Sequence, residues 1–222
     1  MQYRLIAGGG ALIGFFALTA AFTGHLPSGG TASRDSHIPE VTVSPGQAIG
    51  QGLTSREYLT QGDALRAAQA GLVPSNTKTL LLEESSFAHG DYTWDERGAE
   101  DGALMVWVDL RRQMVSVFRG GHEIGTAVAA FGAPDYQSPV GTFDIISKHE
   151  DYHSRTYDAP MPYSLFITAD GVALHASPMG SDRATHGCIG LPEEFARLLF
   201  EASALGDKVT IVRSSATLDA TE

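Results

Sequence analysis

The sequence predicts a mainly β protein of the β-rich α+β class, in which short strands alternate with tight turns. Three observations support this prediction. The 222 residues include 25 glycines and 10 prolines, short runs of β-branched and aromatic residues recur along the chain, and helical periodicity is restricted to two stretches. The length is enough for one domain with its own core and a flanking segment.

The predicted elements follow from local patterns. A first helix is predicted over 60–70, since Gly71 and Pro74 supply stop signals. A second helix starts at Pro192, carries an apolar stripe that continues to Leu205, and ends at Gly206. The runs 105–109 and 114–118 form a predicted hairpin, and Asp170-Gly171 marks another turn. Further strands are predicted over 124–131, 142–147, 164–168, 172–175 and 209–212.

The N-terminal segment predicts export. Arg4 precedes an apolar run over 5–22 without acidic residues, which is typical of a signal peptide cleaved after Ala21 or of a retained signal anchor. We therefore expect a periplasmic or cell-envelope protein. The expected organisation is a leader over 1–24, a linker with a short helix over 25–76, the main domain over 77–213 and a disordered tail over 214–222.

The charge pattern limits the partners. The formal net charge is −11, and the lysines and arginines form no cluster. Proteins that bind nucleic acid carry clustered positive charge, so we expect no nucleic-acid partner. We expect a monomer whose membrane contact is limited to an N-terminal anchor, if the leader is retained.

The main-domain cysteine is the strongest chemical signal. Cys188 is the only cysteine in the chain, so it cannot form an internal disulfide, and His175 lies thirteen positions upstream. A thiol with a nearby histidine is a candidate for nucleophilic catalysis. Gly187 allows a sharp bend that lets backbone N–H groups converge. The predicted helix start after Cys188 is expected to favour the thiolate.

These residues resemble a known family. Thr185-His186-Gly187-Cys188-Ile189, with His175 upstream, is similar to the motif of the L,D-transpeptidase (YkuD-type) catalytic domain family. Segments 138–143, 158–163 and 170–175 are also similar to family segments, and the resemblance covers roughly residues 100–213. It implies a two-sheet β sandwich with a helix after the catalytic Cys motif.

The resemblance also implies an activity: a cysteine acyltransferase that makes 3→3 cross-links between peptidoglycan stem peptides, which serve as donor and acceptor. Cys188 would be the nucleophile, and His175 the proton donor and acceptor. The carbonyl of Ala176 would orient His175, and the backbone at His186 and Gly187 would form the oxyanion hole. No metal or other cofactor is implied. The implied substrate-binding residues are Tyr163, Ser177, Arg183 and Thr185.

The chain departs from the family pattern in three ways. Gly190 stands where the family usually has arginine, so Arg183 becomes a candidate substitute for a lost cation. Leu191-Pro192-Glu193 replaces a segment that often contains asparagine. The spacing between His175 and Cys188 is short, although one subgroup of the family shares it.

Other functions stay open at this point. The same fold would give an L,D-carboxypeptidase or hydrolase if water were the acceptor. A degenerate site would give a non-catalytic peptidoglycan-binding module. Zinc held by His175, His186 and Cys188, with Asp182 nearby and one position left for water, would give a metallohydrolase. A second polar cluster, formed by His149, Glu150, Asp151 and His153, is interpreted as a solvated loop rather than a metal site.

Overall fold

Two β-sheets pack against each other in this computed structural model, which describes residues 56–82, 87–133, 136–180 and 185–215. Eight strands form the larger sheet and four form the smaller one, so the predicted mainly β class is confirmed. In chain order, the elements are β1 (Arg56–Tyr58), α1 (Gln61–Gln69), β2 (Thr79–Leu81), β3 (Tyr92–Trp94), β4 (Leu104–Asp109), β5 (Met114–Arg119), β6 (His122–Val128), β7 (Gly141–Asp144), β8 (Ser147–Ser154), β9 (Ala159–Phe166), β10 (Ala173–Ala176), β11 (Ile189–Leu191), α2 (Glu193–Ala202) and β12 (Lys208–Val212).

The larger sheet is built around the predicted hairpin of β4 and β5. The Asp109 carboxylate closes the turn by accepting hydrogen bonds from the backbone N–H groups of Arg111 at 3.0 Å and Arg112 at 3.4 Å. This is an Asx-type turn, in which the side chain replaces a backbone acceptor. The strand order is β1-β2-β6-β5-β4-β12-β7, and β3 also pairs with β6. The predicted closing strand, β12, is thus paired on both sides, since it lies between β4 and the edge strand β7.

The smaller sheet has the order β11-β10-β9-β8. β10 and β11 run parallel, and the other pairs are antiparallel. A bridge between Ala130, which follows β6, and Gly190 in β11 ties this sheet to the larger one through backbone hydrogen bonds of 2.7 and 2.8 Å. Gly190 is therefore held by Ala130 on one side and by its pairing with β10 on the other.

The core lies between the sheets, and α2 closes it. Phe195 and Leu199 of α2 are fully buried. The Phe195 ring meets the Trp94 ring edge-on, with centroids 5.5 Å apart, so α2 contacts the larger sheet at β3 as well as β9 and β10 of the smaller sheet. Burial of such apolar side chains is the main stabilising contribution to the fold. The resemblance correctly implied a helix after the Cys motif.

Residues 56–76 belong to the folded part of the chain, although the sequence assigns them to the linker. β1 pairs with β2, and α1 matches the helix predicted over 60–70. Thr60 caps this helix, since its Oγ1 accepts a hydrogen bond from the Asp63 backbone N–H at 3.2 Å. The predicted leader over 1–24 and the linker up to 55 lie outside the described residues. Within the described ranges, no helix is long and apolar enough to span a bilayer.

Residues 141–154 differ from the predicted pattern. A single strand is expected over 142–147, but β7 ends at Asp144 and β8 begins at Ser147. The Ile145 N–H donates to Asp207 beside β12, whereas the Ile146 N–H donates to Phe166 in β9, so the chain passes here from one sheet to the other. The polar cluster interpreted as a loop is in fact strand β8. Because β8 is an edge strand with an exposed face, its polar residues hide the strand signal.

The C-terminal predictions need two corrections. α2 ends at Ala202, before the predicted stop at Gly206, and the Leu205 side chain is 64% exposed rather than part of the apolar stripe. The first residues of the predicted disordered tail are packed. The Ser214 N–H donates to the Asp109 carboxylate at 3.2 Å, and the Ser215 N–H donates to the Ala70 carbonyl at 3.2 Å. Residues 216–222 lie outside the described ranges.

Lys148 of β8 stabilises the end of α2. Its Nζ donates hydrogen bonds to the carbonyls of Phe200 and Ser203 and lies 4.5 Å from the centroid of the Phe200 ring. The last carbonyls of a helix have no partner within the helix and carry a partial negative charge, which a cation satisfies. Burial lowers the pKa of Lys148, and the charge of Asp207 opposes this shift. Part of the stabilisation is therefore offset by desolvation.

Replacing Lys148 by methionine keeps the aliphatic stem and removes the cap. We expect Lys148→Met to lower the free energy of unfolding by about 1–2 kcal/mol, measured by urea denaturation. Lys208→Met is the matched control, since Lys208 is 52% exposed and pairs with Asp144 at the surface; its loss should stay below about 0.5 kcal/mol. Equal losses in the two variants would show that Lys148 does not cap α2.

Candidate active site

The parallel pairing of β10 with β11 brings the two predicted reactive residues together. His175 lies opposite Gly190 in the register. Cys188 lies two positions before Gly190, immediately ahead of β11, so the pairing brings it beside β10. Since parallel strands are about 4.8 Å apart and rise about 3.3 Å per residue, the two Cα atoms are roughly 8 Å apart. Residues 176–187 connect His175 and Cys188 in sequence.

His175 is buried and held in one orientation. Its Nδ1 is 2.7 Å from the backbone carbonyl oxygen of Ala176. A carbonyl only accepts hydrogen bonds, so Nδ1 carries the proton and Nε2 presents a lone pair. Burial lowers the pKa of His175, and the hydrogen bond to Ala176 opposes this shift. At neutral pH the imidazole is therefore neutral and able to accept a proton.

Cys188 is half-buried, and its thiol lies against the backbone of the segment before β10. The Sγ–H donates to the Gly171 carbonyl at 3.8 Å. Burial raises the pKa of the Cys188 thiol, and a hydrogen bond from the Ala173 backbone opposes this shift. The expectation that the helix start favours the thiolate is wrong. β11 separates Cys188 from α2 by about 10 Å, and the influence of a helix end fades within one turn.

The Cys188 thiol hydrogen-bonds to the Gly171 carbonyl and not to the His175 imidazole. Gly171 and His175 lie on opposite sides of Ala173 along the chain. A change of the Cys188 χ1 rotamer is the movement that would bring Sγ to the imidazole. Catalytic hydrogen bonds are often long or misaligned before substrate binds, so this arrangement is compatible with a thiol–imidazole pair.

The Cys loop, residues 185–188, presents several unpaired amides. Within the described ranges, the backbone N–H groups of His186, Gly187 and Cys188 donate to no acceptor. Gly187 has φ of 104°, which favours glycine and turns the backbone sharply. The Thr185 Oγ1 donates to the Cys188 carbonyl at 2.5 Å and fixes the loop from within. Free amides beside a nucleophile are the arrangement that holds a developing oxyanion.

His186 is packed between two tyrosines. Its ring stacks on Tyr157, with centroids 4.4 Å apart and planes at 19°, and meets Tyr136 edge-on at 4.8 Å. Tyr157 lies in the turn between β8 and β9, so this hairpin reaches across to the Cys loop. The zinc alternative gains no support from this geometry. In the described part of the chain, no group of three or more His, Cys, Asp and Glu residues is arranged to hold a metal, and Asp182 lies outside it.

The predicted substrate-binding residues have different surroundings. Tyr163 adopts φ of 56°, and its ring packs 5.9 Å from that of Phe200. The Thr185 hydroxyl is engaged within the Cys loop. Ser177 lies beside Gly190, and its side chain occupies the space that a Cβ on Gly190 would need. Arg183 lies outside the described residues. Contacts between these residues and a substrate stay predictions.

Sequence reasoning missed an aromatic cluster on the same face of the smaller sheet. Phe166 pairs with Ala173, so its ring projects beside the row of Cys188 and His175. It meets the rings of Tyr152 and His149 edge-on, at 5.0 and 5.7 Å. The signal was hidden because two of the three residues lie in β8, the strand interpreted as a loop. This cluster extends the surface available beside the cysteine.

Comparison with known proteins supports the resemblance. Residues 104–211 match the model of the YkuD family, the L,D-transpeptidase catalytic domain. L,D-transpeptidase 1 of Mycobacterium tuberculosis is 29% identical over 133 residues, which cover 52% of this chain and 53% of that protein. Probable L,D-transpeptidase 3 of the same organism is 28% identical over 106 residues, covering 40% and 39%. The predicted family is thereby confirmed for the matched segment.

The extent of these matches is partial. The chain spans about half the length of L,D-transpeptidase 1. A crystal structure of an L,D-transpeptidase from Stackebrandtia nassauensis aligns with 71% of this chain and 69% of its own, at 21% identity and a TM-score of 0.48. An L,D-transpeptidase from M. tuberculosis aligns with 50% of this chain and 58% of its own, at 25% identity and a TM-score of 0.47.

The Thr185 hydrogen bond can be tested without a peptide substrate. Thr185→Val removes the donor to Cys188, so we expect acylation of Cys188 by p-nitrophenyl acetate to slow about tenfold as the loop amides lose alignment. Thr185→Ser should restore it. Alkylation by iodoacetamide needs no oxyanion hole and should change little. A parallel loss of both rates would show that the hydroxyl controls access to the thiol rather than the amides.

The buried thiol predicts a distinct pH dependence. Because its pKa is raised and that of His175 is lowered, the resting pair is neutral. The rate of Cys188 alkylation by iodoacetamide, followed by intact-protein mass, should still rise above roughly pH 8.5, the usual range of a free thiol. A plateau reached below about pH 7 would contradict the neutral pair and indicate a preformed thiolate and imidazolium.

Proposed function

We propose that this chain, whose residues 104–211 belong to the YkuD L,D-transpeptidase catalytic domain family, transfers acyl groups from peptidoglycan stem peptides through a thioester on Cys188. The observation that carries the proposal is the placement of Cys188 immediately before β11 and of His175 in the parallel neighbour β10, beside Cys-loop amides that donate to no acceptor in the described ranges. A nucleophile, a neutral base and oxyanion donors are the three parts that acyl transfer needs.

The first half-reaction forms the thioester. The Cys188 thiol turns towards His175, and Nε2 takes its proton as Sγ attacks the carbonyl carbon of the third stem residue. The backbone amides of the Cys loop, at His186, Gly187 and Cys188, donate to the oxyanion of the tetrahedral intermediate. The C–N bond then breaks, and His175 returns the proton to the departing amine of the terminal D-alanine. The Ala176 carbonyl stabilises the imidazolium that exists between these two transfers.

The second half-reaction sets the outcome. His175 removes a proton from the amino group of a neighbouring stem, the amine attacks the thioester, and Cys188 leaves as the thiol. The product is a 3→3 cross-link, which we take as the main activity because the family is that of L,D-transpeptidases. With water as acceptor the same thioester gives an L,D-carboxypeptidase.

A binding module without turnover is the second candidate. Its motivation is Gly190, which replaces the arginine usual in the family. The geometry favours catalysis instead, since the neutral, oriented His175 and the open loop amides have no role in a purely binding site.

The proposed setting is the cell envelope. The apolar run over 5–22 supports export, with the domain acting in the periplasm on donor and acceptor stem peptides. The proposal includes a monomeric state and no cofactor.

The decisive experiment uses purified tetrapeptide muropeptides and mass spectrometry. We expect a dimer with a 3→3 bond and release of D-alanine by the wild-type chain, and neither product with Cys188→Ala. His175→Ala should lower the rate about 10²- to 10⁴-fold, because the thiol loses its proton acceptor. His89→Ala is the control, since His89 is exposed, and should keep wild-type activity.

Each remaining outcome has a defined meaning. Release of D-alanine without a dimer would identify a carboxypeptidase. Binding without either product would support the module. A carbapenem should also acylate Cys188, adding its mass to the intact wild-type chain and not to Cys188→Ala. Turnover that persists in Cys188→Ala would overturn the proposed mechanism.

A further inference from the structure

Position 190 has no room for a side chain. A Cβ placed on Gly190 would lie 2.9 Å from the Ser177 Cβ, 3.2 Å from the Ser177 Oγ and 3.4 Å from the Ala130 Cβ. The backbone cannot move aside easily, because Gly190 and Ala130 exchange two hydrogen bonds. The Ser177 side chain therefore fills the volume above Gly190, which the first atoms of an arginine side chain at 190 would otherwise occupy.

The Ser177 hydroxyl belongs to the reactive face of the sheet. The Ser177 N–H donates to the Leu191 carbonyl at 2.9 Å, so the chain continues its pairing with β11 beyond β10. Ser177 therefore projects from the same face as His175, as does the space above Gly190. Because Cys188 precedes Gly190 by two positions, the hydroxyl above Gly190 lies roughly 7 Å, two residues of strand rise, from the Cys188 backbone.

This distance corresponds to one residue of substrate. When Sγ attacks a peptide carbonyl, the carboxyl group of the leaving residue lies one residue further along the chain, at a comparable distance from the sulfur. Ser177 is half-buried, and its hydroxyl has no hydrogen-bond partner among the residues that the structure describes. It is therefore available to a ligand at this position.

A hydroxyl and a guanidinium read a carboxyl group differently. A guanidinium only donates hydrogen bonds and attracts negative charge, so it favours a carboxylate over its amide. A hydroxyl donates to a carboxylate or a carbonyl oxygen and accepts from an amide N–H. It therefore discriminates little between a charged and a neutral partner of the same shape.

We propose that Ser177, whose side chain occupies the space above Gly190, is a specificity-determining residue that binds the carboxyl group of the leaving residue and accepts its carboxylate and carboxamide forms alike. This inference rests on the proposed function. It assigns to the Ser177–Gly190 pair a recognition by hydrogen bonding, where an arginine at 190 would recognise charge.

The test compares two tetrapeptides that differ only at the C-terminus, which is D-alanine in one and D-alaninamide in the other. For the wild-type chain, the second-order rates of Cys188 acylation, followed by intact-protein mass, should differ by less than about threefold. Ser177→Ala should lower both rates about 3- to 10-fold, the effect of one lost hydrogen bond. Ser75→Ala, in an exposed turn, is the matched control and should change neither rate.

The double variant Ser177→Gly/Gly190→Arg gives the converse. Removing the serine side chain relieves the 2.9 Å contact, so an arginine can be accommodated, and its charge should favour the carboxylate peptide at least about tenfold. Thermal melting checks that this variant folds. Ser177→Ala keeps the proposal falsifiable if the double variant does not.

The outcomes separate this inference from the proposed function. If neither peptide acylates a wild-type chain whose Cys188 still reacts with iodoacetamide, both the proposed function and this inference fail. If acylation depends on Cys188 but Ser177→Ala changes neither rate, the inference alone is overturned. It is also overturned if the wild type prefers the carboxylate more than tenfold and Arg183→Gln removes that preference, since a cation would then do the reading.

Discussion

The parallel register of β10 and β11 is the constraint on which the site depends. It brings Cys188, immediately before β11, beside the strand that carries His175, and the bridge from Ala130 to Gly190 holds the outer strand in place. A slip of one residue would change the position of Cys188 relative to the imidazole. The segment 176–187 separates His175 from Cys188 in sequence. A parallel pair needs such a connection, because it cannot be joined by a tight turn.

Burial then decides how the pair works. It lowers the pKa of His175 and raises that of Cys188, which favours the neutral form of each group. In the proposed reaction such a pair moves its proton as the new bond forms, and the charge that develops falls on an oxyanion beside the amides of the Cys loop. The Ala176 carbonyl and the Thr185 hydroxyl orient the base and the loop, respectively. In the proposed mechanism these contacts orient the base and the loop, and no preformed thiolate is required.

Sequence patterns predicted those elements whose signal is local. The hairpin of β4 and β5, α1 and β12 were found because apolar periodicity and turn residues lie within each segment. β8 was missed because its polar face meets solvent at a sheet edge, and β11 because three residues carry no period. Leu205 was misassigned because α2 ends three residues earlier. There Lys148, which is remote in sequence, donates hydrogen bonds to the last carbonyls of the helix.

The sequence by itself predicted which residues would carry the proposed chemistry. A single thiol, a histidine upstream and a glycine between His186 and Cys188 are readable without coordinates, because residue type alone limits who can be nucleophile or base. The tertiary structure decided the burial of that pair, the packing of His186 between Tyr136 and Tyr157, and the filling of the space at Gly190 by Ser177. These properties arise from burial and from contacts between segments distant along the chain, which no local pattern encodes.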